Sequence, residues 1–255
     1  MKTRVLLAGA TFALGLAGAA QANPLLSDSF NGPTLGSPGA VGDGFAIGPS
    51  SHASVSGGLA FVGGAAGAAD QNIYSLDTFN PTDTTLTWQV NSRPDIGAAG
   101  VMVGWGQPGI SECAGCGPEI WLEARDDRTV FDIVDNNGLF RYVSQGPIGG
   151  TGPLTMTLSL TATTWAFDIT NGVNSIAHNG TFAAGFGIGD VIAASGGNLS
   201  TFASVRSDAP SLGDGGSFSS VNVAAVPEPG EWALVLMGFG GLGLALRRRR
   251  AVRAA

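Results

Sequence analysis

Glu119-Ile120-Trp121-Leu122-Glu123 sets two carboxylates four residues apart with an indole midway between them. On a β-strand successive side chains alternate in direction, so positions 119, 121 and 123 share one face. Two carboxyl groups about 5–5.5 Å apart can cleave a glycosidic bond, one as nucleophile and one as acid/base. The same letters also describe a strand that turns acidic side chains to solvent and packs its tryptophan over a neighbour. Trp88, Trp105, Trp121 and Trp165 all fall in stretches of strand character. Buried tryptophan is the ordinary case, while an exposed indole on a sheet face stacks on sugar rings. Trp105 and Trp121 are the candidates for such a sugar platform.

Other chemistry is sparser. Cys113-Ala114-Gly115-Cys116 holds the chain's two cysteines, in a loop followed directly by Gly117-Pro118. In an oxidising compartment this spacing closes a small disulfide loop. A redox pair would instead open a helix in a parallel α/β fold, and two thiolates without a nearby histidine make half a zinc site at best. Asp126, Asp127, Asp132 and Asp135-Asn136-Asn137 offer oxygen ligands for calcium, without the twelve-residue EF-hand pattern; otherwise they are solvated turn carboxylates. His52 and His178 are isolated and read as surface residues, with no Ser or Cys triad partner. No glycine-rich phosphate loop follows a strand and opens a helix. The expectation is therefore no cofactor and no dedicated metal centre, with calcium the one exception kept open.

These residues must be positioned by strands. Short runs with β-branched or aromatic alternation recur between Gly, Asn, Asp and Pro clusters: Thr85–Val90, Gly100–Trp105, Glu119–Ala124, Thr129–Val134, Leu139–Val143, Leu154–Leu160, Thr164–Ile169 and Phe218–Val223. Asp135-Asn136-Asn137-Gly138 reads as a hairpin turn, because Asn and Gly accept positive φ, and Thr161-Ala162-Thr163 as a second tight connection. Gly57-Gly58, 63–69 and 146–152 read as loops, and no useful helical period or internal repeat is visible. Many short strands with glycine-rich turns predict an all-β, antiparallel jelly-roll sandwich over residues 23–225.

The order of these runs resembles the concanavalin A-like lectin/glucanase fold, laminin-G-type domains included. Leu26–Gly32 looks like that fold's first strand, Leu154–Leu160 with Thr164–Asn171 like its late hairpin, and Phe218–Val223 like the closing strand that returns beside the first. Within that resemblance, 119–123 is similar to the Glu-Ile-Asp-x-Glu signature of family 16 glucanases. The departure is at the centre, where Trp121 replaces the aspartate that tunes both glutamates.

The two ends are of another kind. Residues 1–22 begin with Lys2 and Arg4, run apolar from Val5 to Ala20 and end Ala20-Gln21-Ala22, the pattern of a secretory signal peptide. Residues 226–255 carry Pro227-Glu228-Pro229, an apolar run 232–246 rich in glycine, and Arg247, Arg248, Arg249 and Arg250. Fifteen residues of helix span roughly 23 Å at about 1.5 Å each, a short transmembrane helix, and the arginines stop translocation on the cytoplasmic side. Between the ends, five arginines and no lysine face seventeen carboxylates, a formal charge of −12 against −7 for the whole chain. That acidity excludes nucleic acid as a partner, since binding it takes a basic footprint.

The order Pro-Glu-Pro, short glycine-rich apolar helix and terminal arginine cluster resembles the PEP-CTERM sorting signal, a segment also described as an ice-binding protein C-terminal domain. The resemblance implies an exosortase-type processing enzyme as partner, transient anchoring in the inner membrane of a Gram-negative bacterium, and release to the cell surface or outside. It also implies association with exopolysaccharide and biofilm matrix. The expected function is thus that of an exported, non-enzymatic surface or matrix protein. The alternative is a divergent glycoside hydrolase of the family 16 type, with Glu119 and Glu123 catalytic.

Overall fold

A computed structural model describes residues 24–30, 44–48, 53–63, 70–93, 100–107, 117–125, 127–150, 152–206 and 215–226. The signal segment, the Pro-Glu-Pro tail with its apolar run, His52, Asp126 and both cysteines lie outside them. The described part belongs to one compact unit, Pro24–Val226.

In chain order its elements are β1 (Pro24–Asp28), β2 (Phe45–Ile47), β3 (Ala53–Ser56), β4 (Leu59–Val62), β5 (Asp70–Ser75), β6 (Thr84–Ser92), β7 (Gly100–Gly106), β8 (Glu119–Arg125), β9 (Thr129–Asp135), β10 (Gly138–Gln145), β11 (Leu154–Leu160), β12 (Thr164–Thr170), β13 (Ser175–Thr181), α1 (Ile188–Ser195), β14 (Ser200–Arg206) and β15 (Gly216–Ala225). They form two antiparallel sheets. One runs β13-β12-β11-β6-β15-β4-β3, with β1 also paired to β15; the other runs β10-β9-β8-β7-β14-β5-β2. The closing strand does return beside the first, Ser27 opposite Asn222.

Alternation explains which side faces in. On β6, Leu86, Trp88 and Val90 are buried between the sheets, while Thr85, Thr87 and Gln89 turn outward and meet Ser159, Thr157 and Thr155 of β11. Trp88 anchors the core. Its ring stacks on Phe30 and meets Phe45 and Phe218 edge-on, and its indole N–H donates to Thr201 Oγ1 at 3.1 Å. A second aromatic group, Phe131, Tyr142, Trp165 and Phe167, fills the same interior nearer β10 and β12.

The β9–β10 hairpin closes as expected. Gly138 adopts φ +111°, and Asn137 N–H donates to Asp135 Oδ1 at 2.6 Å. Helix α1 was not foreshadowed by any period. Its eight residues are too few for one, and its burial rests on Ile188 and Val191 entering the inter-sheet core.

Candidate functional site

Strand β8 has both faces buried, and its two faces do different work. Ile120, Leu122 and Ala124 join the core between the sheets. Glu119, Trp121 and Glu123 alternate with them and so share the opposite, outer face of the seven-stranded sheet. The expectation that these three residues lie on one face holds.

Cross-strand register extends that face into rows. Tyr74 pairs with Phe202, Phe202 with Gly104, Gly104 with Trp121, Trp121 with Asp132, and Asp132 with Arg141. At about 4.8 Å per strand, this row of six is about 24 Å long. Flanking rows place Gly106, Glu119 and Val134 on one side, and Ser204, Met102, Glu123 and Val130 on the other. Met102, Trp121, Val134 and Phe202 form an apolar cluster separate from the main core, with Tyr74 packed against it. The result is an aromatic strip between two glutamates, ended by an ion pair.

Glycine makes the strip possible. The outward positions of β7 are Gly100, Met102, Gly104 and Gly106, so the strand beside Trp121 is nearly bare. At Gly104 the backbones come so close that a Cβ would stand 2.0 Å from the Ile120 carbonyl oxygen and 2.8 Å from Trp121 Cα.

The charges are arranged as pairs. Arg141 donates to Asp132 from Nε at 2.9 Å and from Nη2 at 2.7 Å. The hydrogen bonds it donates to Asp132 hold the guanidinium more firmly protonated than usual, against a smaller desolvation, with Glu123 adding a weaker pull. Arg125 Nε lies 3.8 Å from Glu123 Oε1 and 3.3 Å from Asp127 Oδ1. The middle of the strip is closed to solvent: Glu119 and Glu123 are each 2% exposed and Trp121 3%. Its ends are not, since Tyr74 is half-buried and the Arg141 side chain is 42% exposed. The Trp121 indole N–H has no hydrogen-bond partner among the described residues.

Trp105 requires a correction. It alternates onto the inner side of β7, is fully buried in the inter-sheet core and meets Phe79 edge-on, so it is no exposed sugar platform. Of the two candidate platforms only Trp121 is on the outer face, and it too is buried there, at 3% exposure. The calcium candidates also scatter. Asp132 is bound to Arg141, Asp127 lies beside Arg125 and Arg128, and Asp135 accepts from Asn137. Among the described residues no three acidic, histidine or cysteine side chains are grouped to hold a metal. His178, on β13 of the eight-stranded sheet, packs its ring against Phe167 of β12, whereas β8 belongs to the other sheet. Tyr74, Phe202, Met102 and Arg141 were not singled out from sequence; the signal that marks them is register, which appears only once the strands are paired.

Cys113 and Cys116 lie outside the described residues, and the disulfide stays an expectation. Alkylation of exported protein without reductant should label neither thiol; labelling of both would remove the disulfide.

No family model matches the chain, and comparison with curated proteins finds no match. Solved structures do. The CBM2 module of the evolved Dit of Lactobacillus casei BL23 phage J-1 superposes with a TM-score of 0.56 at 9% identity, over 82% of this chain and 98% of that one. Arcelin-5, a lectin-like defence protein from Phaseolus vulgaris, gives 0.54 at 13%, over 78% and 98%. A glycosyl hydrolase family protein from Mycobacterium fortuitum gives 0.51 at 14%, over 79% and 99%. The sandwich is of the lectin-like, concanavalin A type. At these identities the likeness is one of fold.

Proposed function

We propose that this chain is an exported surface or matrix protein whose sandwich binds neutral polysaccharide weakly along the Tyr74–Arg141 row and does not cleave it. The observation that carries this reading is the row itself, an aromatic strip with polar side chains on both flanks. Sugars are held by that combination: ring faces for their C–H surfaces, carboxylates and a guanidinium for their hydroxyls. Neighbouring folds that include carbohydrate-binding and lectin-like proteins support it. Because the centre of the row is closed, binding has to displace what closes it, and the apparent affinity falls by the fraction of open molecules.

Several features speak against hydrolysis. Strand β8 keeps unbroken register with β7 and β9, so the Cα atoms of Glu119 and Glu123 stand about 13 Å apart at 3.3 Å per residue. Reaching bond-cleaving separation would require both side chains to lean across the Trp121 position. The residue that tunes both glutamates in the family 16 signature is also missing, Trp121 standing in its place. The test is to incubate exported protein with β-glucans and matrix glycans and measure reducing ends. None are expected. Reducing ends that appear with the wild type and vanish in Glu119→Gln would establish the family 16-type alternative.

The ends supply the cellular setting. Signal-like residues 1–22 lead the chain into export. The tail, Pro227-Glu228-Pro229 followed by the 232–246 run and Arg247–Arg250, anchors it until an exosortase-type enzyme cuts near the motif. Association with exopolysaccharide and biofilm follows from that route. Intact mass of protein from the native host should fit a species starting near Asn23 and ending near Pro229. A full-length tail retained in the membrane would reduce the segment to a plain anchor.

A further inference from the structure

We infer that β13 is the seam of a two-fold dimer, in which the eight-stranded sheets of two copies of this chain join edge to edge. A free sheet edge is a template for another strand, and proteins usually blunt it with shortness, charge, proline or a bulge. The other edges here are blunted. Strand β2 has three residues and β3 four. β1 carries Pro24, Asp28 and a register shift. β10 carries Arg141 and a register shift between Arg141 and Val143, and its Tyr142 hydroxyl is engaged by Ala183 and Phe186 of the following chain. β13 has none of these devices. It is seven residues, Ser-Ile-Ala-His-Asn-Gly-Thr, in unbroken register with β12 from Ser175 to Thr181, without proline, lysine, arginine, aspartate or glutamate.

The phase of the ladder shows which groups are on offer. Phe182 N–H donates to Thr163 O at 3.0 Å, and Asn171 N–H to Asn174 O at 3.1 Å. Antiparallel ladders alternate bonded and non-bonded pairs, so 174, 176, 178, 180 and 182 bond toward β12. Ser175, Ala177, Asn179 and Thr181 therefore turn their N–H and C=O groups away from it, and all four residues are exposed. Antiparallel pairing with a second copy satisfies every one of these groups in a single register, centred on His178. Ser175 then opposes Thr181 of the second copy, and Ala177 opposes Asn179.

Shape and charge fit a second copy. On the inner side the same register sets Ile176 opposite Gly180. A Cβ on Gly180 would stand 2.6 Å from Trp165 Cζ2, so the indole lies under a residue with no side chain, and half-buried Ile176 of the second copy covers it. Two domains of charge −12 repel over most of their surface. The one carboxylate on the adjoining strand β12, Asp168, accepts a hydrogen bond from Ser175 and faces Ala177. The seam is the place where two such acidic bodies meet without opposing carboxylates.

The test is sedimentation equilibrium on the exported protein. Wild type should show twice the mass of the processed chain at micromolar concentration. Ala177→Pro removes an outward N–H while sparing the β12 ladder, and it should give monomer with an unchanged circular dichroism spectrum. Asn179→Asp, an isosteric change, should raise the dissociation constant at least about tenfold at low salt and regain dimer as salt screens the new charges. Thr157→Asp, two strands from the edge, should stay dimeric. A monomeric wild type, or Asn179→Asp dimerising as the wild type does at low salt, would overturn the inference even if Ala177→Pro failed to fold.

Discussion

Gly104→Ala is expected to cost at least about 3 kcal/mol, more than most single substitutions. A Cβ at that position meets backbone on β8, 2.0 Å from the Ile120 oxygen, and backbone in mid-sheet cannot rotate away as a flexible side chain does. The strands would have to separate, and the register that seats Trp121 beside Phe202 would loosen with them. For a domain of this size about 3 kcal/mol lowers Tm by about 6–12 °C. Thermal unfolding followed by circular dichroism measures it. A Tm within 2 °C of wild type would mean that β7 and β8 do not approach as described, and the row would lose its geometric basis.

Trp88→Ala is expected to be larger still, about 4–5 kcal/mol. The indole is fully buried, touches three aromatic rings and donates to Thr201, so truncation leaves a cavity and a buried hydroxyl without its donor. Trp88→Phe keeps most of the contact area and should lose about half as much. Urea unfolding of the two variants checks both size and order. Equal, small losses would show that the interior is not centred on this residue.

How much was legible differs by residue. The strands β6, β8, β9, β11, β12 and β15 stand out in the sequence because each alternates cleanly or carries a dense apolar run. The turn at 135–138 stands out because Asn and Gly accept positive φ, which Gly138 adopts, and 161–163 stands out only as the short gap between two alternating runs. The face shared by Glu119, Trp121 and Glu123 follows from period two alone. Trp105 misled for a physical reason: every residue of β7 is buried, so alternation there separates two buried faces rather than core from solvent. Only the glycines at 100, 104 and 106 mark the thinner side. Strands β13 and β14 are hard to see: β13, mostly Ser, Thr, Asn and Gly, is an exposed edge, while β14 breaks its apolar residues with Ser and Thr, and its serine hydroxyls bond to backbone in mid-sheet, as Ser200 and Ser204 do to β5. Asp132 was legible as a residue but its partner Arg141 was not, since no local rule sets one strand's register against the next.

The proposal that the outer face of the seven-stranded sheet binds polysaccharide is tested most directly by co-sedimentation of the exported protein with insoluble neutral glycans, wild type against Trp121→Leu. Leucine keeps an apolar side chain in the cluster but removes the ring face and the N–H. Binding should weaken at least about tenfold, about 1.4 kcal/mol, while Thr157→Ala on the opposite sheet binds as the wild type. A folded Trp121→Leu that sediments with the glycan as fully as wild type would contradict the assignment of this row.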